Sequence, residues 1–205
     1  VPRKSRFTQV YSVPYRECDT YGAPYCGEEL LEAIKEEIGD FQPTDVFAPH
    51  PADDHRDHST TSAFVTAALN SLSEEDALPA NGCARHYYIV HRGDWPQPQG
   101  FHPDQRLAPP AELLGLDTYW SGVVLTPSQI DCKARALDAY RSQRSVIGRF
   151  MSSFVRSSEI FGTIHPLTFG LAHPSRVGDD VTAMRLLPEP VGDNLIREWR
   201  PEADI

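Results

Sequence analysis

Asp45-Val-Phe-Ala-Pro-His50-Pro-Ala-Asp53-Asp54-His55-Arg-Asp57-His58 is the stretch on which the reading turns. Its opening residues, 45–48, form a short apolar run between Pro43 and Pro49, the pattern of a buried strand. Positions 50–58 then place three His and three Asp within nine residues. Directly behind them Phe64, Val65, Ala68, Leu69 and Leu72 recur at helical spacing. In front, Leu30, Ile34 and Ile38 share one face, Leu31 widens the stripe and Gly39 supplies a stop, which predicts a helix over 28–38. Helix, strand, polar loop, helix is the rhythm of an α/β protein.

Further along, His86-Tyr-Tyr-Ile-Val-His91 is rich in aromatic and β-branched residues and predicts a second strand. A turn-rich exit, Arg92-Gly-Asp-Trp-Pro96, leads into a proline-rich surface excursion over 96–115. A third strand is expected over 119–125. Thr126-Pro-Ser-Gln129 then starts a helix: Thr caps, Pro fits the first position and Gln sits where a capping box requires it. Another helix begins near Ser145. The expected organisation is one α/β domain over 1–165, followed by an extended segment over 166–205.

The chain has 205 residues, 40% of them hydrophobic, enough for one compact core. Its formal net charge of −10, with no Lys/Arg cluster, excludes a nucleic-acid partner, which requires a basic face. No apolar run approaches the roughly 18 residues that span a bilayer. Cys18, Cys26, Cys83 and Cys132 lack the C-x-x-C spacing of a cysteine zinc site. Free buried thiols and a Cys18–Cys26 bridge remain alternatives on sequence grounds. The composition sets neither the compartment nor the oligomeric state.

Neutral imidazole nitrogens and carboxylate oxygens are the ligands that zinc takes in catalytic sites. Positions 50–58 begin where a strand ends and stop where a helix starts. Ligands of open α/β sheets bind at the carboxyl ends of strands, and a helix N-terminus favours negative charge. The competing reading is a solvated turn that caps the next helix through Asp57 or Ser59. Three His packed behind a buried strand weigh against that reading.

Phe47-Ala-Pro-His-Pro-x-Asp-Asp-His-x-Asp-His58, with its Ala-rich helix, resembles the second signature of the PIG-L/LmbE-like N-acetylglucosaminyl deacetylases. Leu125-Thr-Pro-Ser-Gln129, Lys133, Ala136-Leu137 and Tyr140-Arg-Ser-Gln143 resemble that family's C-terminal helix. The likeness covers roughly residues 28–160. It implies a Rossmann-like, mostly parallel sheet flanked by helices. It also implies a zinc-dependent hydrolase that removes an N-acetyl group from an amino-sugar conjugate by metal-activated water, with that small molecule as partner. By the resemblance, His58 matches a zinc ligand. His55 matches the imidazolium that stabilises the oxyanion and protonates the leaving amine, and Asp57 the carboxylate that orients it. Arg92 and Trp95 on the strand exit, and Asp19 before the first helix, are the weaker candidates for substrate contact.

The family's first signature, A-H-P-D-D-E, supplies a His and an Asp ligand and the general base, and nothing before residue 45 matches it. His50-Pro-Ala-Asp53-Asp54 imitates its spelling in the second signature's place. The expectation is therefore a fold lacking its first strand–helix–strand unit, cut from a longer protein. Two rivals stand beside this reading. Asp53-x-His55-x-Asp57-His58 resembles the H-x-H-x-D-H motif of metallo-β-lactamase-like enzymes, with His91, His165 and His173 as the further ligands needed. The other rival is a non-catalytic carbohydrate-binding protein with a degenerate half-site.

Overall fold

The computed structural model describes residues 1–80, 82–114, 118–164 and 197–198. The protein is α/β, and its chain forms two compact units, Val1–Gln97 and Pro98–Ile205.

In the first unit, helix α1 (Gly27–Phe41) leads to strand β1 (Asp45–Pro49), helix α2 (Arg56–Glu74) and strand β2 (Ala84–Tyr88). The two strands pair in parallel, with Asp45 opposite Ala84 and Pro49 opposite Tyr88. α2 is thus the crossover that a parallel pair requires. The core lies between the helices and β1. Ile38 of α1 meets Ala68, Leu69 and Leu72 of α2, with Leu31, Ile34, Val46 and Val65 packed around them. These are the residues whose spacing predicts both helices.

Two local expectations are corrected. Gly39 does not stop α1, which runs on to Phe41 and closes on Gln42 in the left-handed region (φ 51°). The Gln42 backbone N–H reaches the Ile38 carbonyl, and its side-chain amide donates to the carbonyls of Gly39 and Ala77. Those bonds offset the strain that a glycine would have avoided. Nor is β1 buried on both faces. Ala48 and Pro49 are buried, whereas Phe47 is 55% exposed and stacks on His86 of β2 with ring centres 4.7 Å apart.

In the second unit, strand β3 (Thr118–Val124) is followed by helix α3 (Pro127–Asp138), helix α4 (Arg141–Ser152) and strand β4 (Ser158–Ile164). β3 and β4 pair antiparallel, from Thr118 opposite Ile164 to Val124 opposite Ser158. Strand β5 (Arg197–Glu198) adds antiparallel to β3. A crossover of two helices, α3 and α4, returns the chain beside β3 in the opposite direction, so this unit departs from the mostly parallel sheet expected. The capping box at Thr126 forms as its sequence predicts: Gln129 N–H reaches the Thr126 hydroxyl, and Thr126 N–H reaches Gln129 Oε1. Apart from β5, the extended segment expected over 166–205 lies outside the described residues, as do His165 and His173.

Candidate metal centre at the ends of two parallel strands

Parallel pairing carries β1 and β2 to a common edge, and the His/Asp stretch begins there. The His50 N–H donates to the Tyr88 carbonyl at 2.6 Å, extending the ladder one residue past β1. The chain then turns. His50 Nδ1 accepts the Ala52 N–H at 3.0 Å, and the His50 carbonyl accepts the Asp53 N–H at 3.0 Å. Nδ1 is therefore the unprotonated nitrogen of the neutral ring. Burial drives His50 down from 6.5 to about 4, against the pull of Asp53.

Asp53 ties the two strand exits together. Its side chain is fully buried. Oδ1 accepts the His55 N–H at 2.9 Å, and Oδ2 accepts those of Val90 and His91 at 2.9 and 3.0 Å. Burial alone would raise this carboxyl. The three backbone donors, with His58 beside them, hold it below the ordinary carboxylate value instead. Asp54 repeats the device one residue on: its N–H donates to the His91 carbonyl at 2.7 Å, and its carboxylate accepts Arg92 Nη1 at 3.1 Å and Gly93 N–H at 2.8 Å.

α2 starts in the middle of this arrangement. His55 is its N-cap residue, in an extended conformation and without a side-chain cap bond; Asp57 and His58 lie in its first turn. Three imidazoles gather here. The ring centres of His55 and His58 are 4.9 Å apart, those of His55 and His91 5.3 Å, and those of His58 and His91 5.2 Å. His58 Nδ1 lies 3.2 Å from Asp53 Oδ2. That is ion-pair distance, yet the nitrogen is buried and makes no aligned hydrogen bond. Burial lowers the His91 pKa, outweighing the attraction of Asp53, and positive charge on His58 or His55 would lower it further.

The fit of this corner to a metal rests on that orphaned nitrogen. Two donors on one tetrahedral zinc, with bonds of about 2.0–2.1 Å, stand about 3.3 Å from each other. The His58 nitrogen and the Asp53 oxygen stand at that spacing, which is also the distance of a His–Asp ion pair, and His58 is among the groups that hold the Asp53 carboxyl low. Among the described residues, no group of three or more His, Cys, Asp or Glu is arranged to hold a metal ion. Two donors are in place, and a third is not.

His55 and His58, the leading sequence candidates, are thus brought together, and Asp57 is placed otherwise. Its carboxylate is exposed and makes no hydrogen bond or ion pair among the described residues; the residue reaches Thr61 through its backbone carbonyl. Arg92 is half-buried and braces the strand exit, donating to the Ala52 carbonyl and Asp54. Trp95 is buried, and its N–H closes a turn onto the Arg92 carbonyl. Asp19 is exposed in the N-terminal loops and joins none of these bonds. All four cysteines are free.

The deacetylase resemblance assigns no role to His91 or Asp53, which enter the sequence analysis as candidate ligands only through the metallo-β-lactamase-like rival. The signal that finds them is register. Once β1 and β2 are paired in parallel, the residues just beyond each strand share one edge, which brings position 91 beside position 53.

No protein-family model matches the chain, and no curated protein matches it.

Proposed function

We propose that the protein is a zinc-dependent amide hydrolase that removes the acetyl group from an N-acetylated amino sugar. In this reading a Rossmann-like sheet carries the site at its strand ends. The observation that supports it best is the orphaned His58 Nδ1 beside Asp53 Oδ2, at the mouth of a parallel strand pair and the start of a helix.

The roles follow from chemistry. A bound zinc ion supplies Lewis acidity, which brings the pKa of water to about 7 and makes a nucleophile available at neutral pH. His58 contributes an imidazole ligand and Asp53 an anionic one. Water adds to the acetyl carbonyl, the C–N bond breaks, acetate departs with the new oxygen, and the amine takes up a proton. His55 donates to the oxyanion as it develops and delivers that proton. Its place as the N-cap of α2 sets it among backbone N–H groups that favour negative charge. In this reading Asp57 is assigned the orienting of His55, a contact its carboxylate does not make in this structure, and Arg92 and Trp95 bound the sugar side of the site.

The test is zinc titration of the chain by calorimetry, followed by acetate release from N-acetylglucosamine conjugates. His58→Ala is expected to weaken zinc binding strongly. His55→Ala is expected to spare zinc binding and to lower turnover by about two to four orders of magnitude, the range for a lost acid or oxyanion donor. Unchanged zinc affinity in the His58 variant removes the ligand assignment.

A further inference from the structure

The segment ahead of α1 is tied to itself by backbone bonds. Arg3 N–H donates to the Tyr25 carbonyl and Tyr25 N–H to the Tyr11 carbonyl, both at 2.8 Å, and Val13 N–H donates to the Ala23 carbonyl at 3.0 Å. With α1 and Phe64 of α2, this segment encloses a cavity of about 570 Å³ in the first unit. None of the cavity's lining residues belongs to the His/Asp corner. We infer that the cavity binds a small zwitterion with a bulky apolar side chain, the chemistry of a hydrophobic α-amino acid. The ligand's apolar body lies on Leu30 and Phe64, its carboxylate meets Arg3 and its ammonium meets Glu29. This inference is independent of the metal-site reading.

Three observations carry it. The first is Leu30. It shares a helix face with Ile34 and Ile38, yet it is 47% exposed and takes no part in the core those residues build; it lines the cavity instead. Apolar area left at a cavity wall gains free energy when a ligand covers it. Phe64 adds an aromatic wall suited to a ring. Gly27 lets the start of α1 close on that wall, since a Cβ there would stand 3.3 Å from Phe64 Cζ.

The second observation is size. The volume falls in the range of small-molecule sites, about 300–1,000 Å³. The third is charge. Arg3 and Glu29 both line the cavity, and neither forms an ion pair with the other or with any other described residue. A purely anionic ligand, such as a fatty acid, would meet Glu29 as well as Arg3. A purely cationic one would meet Arg3 as well as Glu29. A ligand that carries both charges answers both side chains.

The experiment titrates the whole chain with L-tryptophan by calorimetry, beside three matched compounds. Indole-3-propionate lacks the ammonium, tryptamine lacks the carboxylate, and L-serine lacks the apolar body. L-Tryptophan is expected to bind best. The two indoles with one charge are expected to be about two- to fivefold weaker, the range for an exposed ion pair, and L-serine is expected not to bind. Arg3→Gln is expected to weaken L-tryptophan by that factor and tryptamine not at all; Glu29→Gln is expected to do the same with indole-3-propionate as the unaffected compound. Leu30→Asp is expected to lose more than about tenfold. Circular dichroism checks each variant, and the two glutamine variants carry the test if Leu30→Asp unfolds. Location is read from Cys26, whose free thiol lines the cavity. Its alkylation by iodoacetamide, followed peptide by peptide, is expected to slow under saturating L-tryptophan, while that of Cys132 in the other unit does not. Equal affinity for the three indoles, or no binding of L-tryptophan at about 10 mM, overturns the inference. Binding that leaves Cys26 alkylation unchanged does so too. A concentration-dependent dimer that Leu30→Asp converts to monomer assigns the cavity wall to a second copy of the chain and overturns it as well.

Discussion

Replacing Asp53 tests whether its carboxylate is the clamp between the two strand exits. Three backbone N–H groups, those of His55, Val90 and His91, end on it at 2.9–3.0 Å, and its side chain is fully buried. Hydrogen bonds to a charged group contribute about 1.5–3 kcal/mol each, and a buried donor left unsatisfied costs about 1–3 kcal/mol. Simple addition overshoots, because the exit loops relax and water enters. For Asp53→Ala the expected loss is about 3–5 kcal/mol, a large share of the stability of a small domain. Asp53→Asn discriminates further. Its single carbonyl oxygen can serve the Val90 and His91 donors while its NH₂ faces the His55 N–H, or the reverse. Either way at least one backbone donor meets another donor, so about 2–3 kcal/mol is expected. Urea unfolding followed by circular dichroism measures both. The clamp also carries a pH signature. The folded carboxyl sits below its ordinary value, so its stabilisation is complete above about pH 4 and is lost as pH falls through the lowered folded pKa. Unfolding midpoints for Asp53→Ala and Asp53→Asn that match wild type at neutral pH would refute the reasoning.

Every α-helix and strand up to residue 152 has a counterpart in the sequence, for reasons that differ by element; the 3₁₀ turn at Ala111–Leu113, within the expected surface excursion, does not. α1 and α2 announce themselves because each buries one stripe, and the residues of that stripe are the ones that meet in the core. α3 is legible from its capping box alone, which is a local hydrogen-bond device and owes nothing to tertiary context. β4 is missed. Ser158-Glu-Ile-Phe-Gly-Thr-Ile164 shows no clean alternation, because its buried positions 158, 160 and 162 are Ser, Ile and Gly. Ser158 is buried to accept the Leu107 N–H at 3.0 Å, a bond over 51 positions that no window along the chain reveals. The direction of strand pairing is invisible for the same reason, since it depends on where α3 and α4 deliver the chain. At the candidate site, His55 and His58 are legible because they are near neighbours in sequence. His91 is not, because its partnership is set by the register of β1 on β2. Asp57, prominent in the motif, makes no bond with its carboxylate among the described residues, while Asp53, given no role by the deacetylase resemblance, accepts three backbone N–H bonds.

Two further predictions rest on buried charge. In the second unit Arg156 is 1% exposed and donates through Nε to the Ser153 carbonyl and through Nη1 to Gln105 Oε1, both at 2.8 Å, and through Nη2 to the Pro98 carbonyl. Arg156→Ala strands those acceptors and leaves a void, and a loss of about 3 kcal/mol in a denaturant titration is expected; a loss under about 1 kcal/mol would remove its role as the post of that unit. The other prediction concerns His50, whose folded pKa is lowered from 6.5 to about 4 by burial. The sign follows from proton counting. Between those values the unfolded chain takes up a proton that the folded chain refuses, so stability is full above about pH 6.5 and falls as pH drops toward 4. The limiting slope for one such group is about 1.4 kcal/mol per pH unit. Asp53 does not contribute over most of this window, because its own loss begins only near pH 4 and below. Unfolding free energy measured from pH 7 to 4.5 should therefore be steeper in wild type than in His50→Gln, which retains a polar side chain of similar size and carries no titratable proton. The two curves should converge in slope above pH 7. Parallel curves across the window would mean that His50 takes its proton as readily folded as unfolded, and that the strand exit is open to water where the structure closes it.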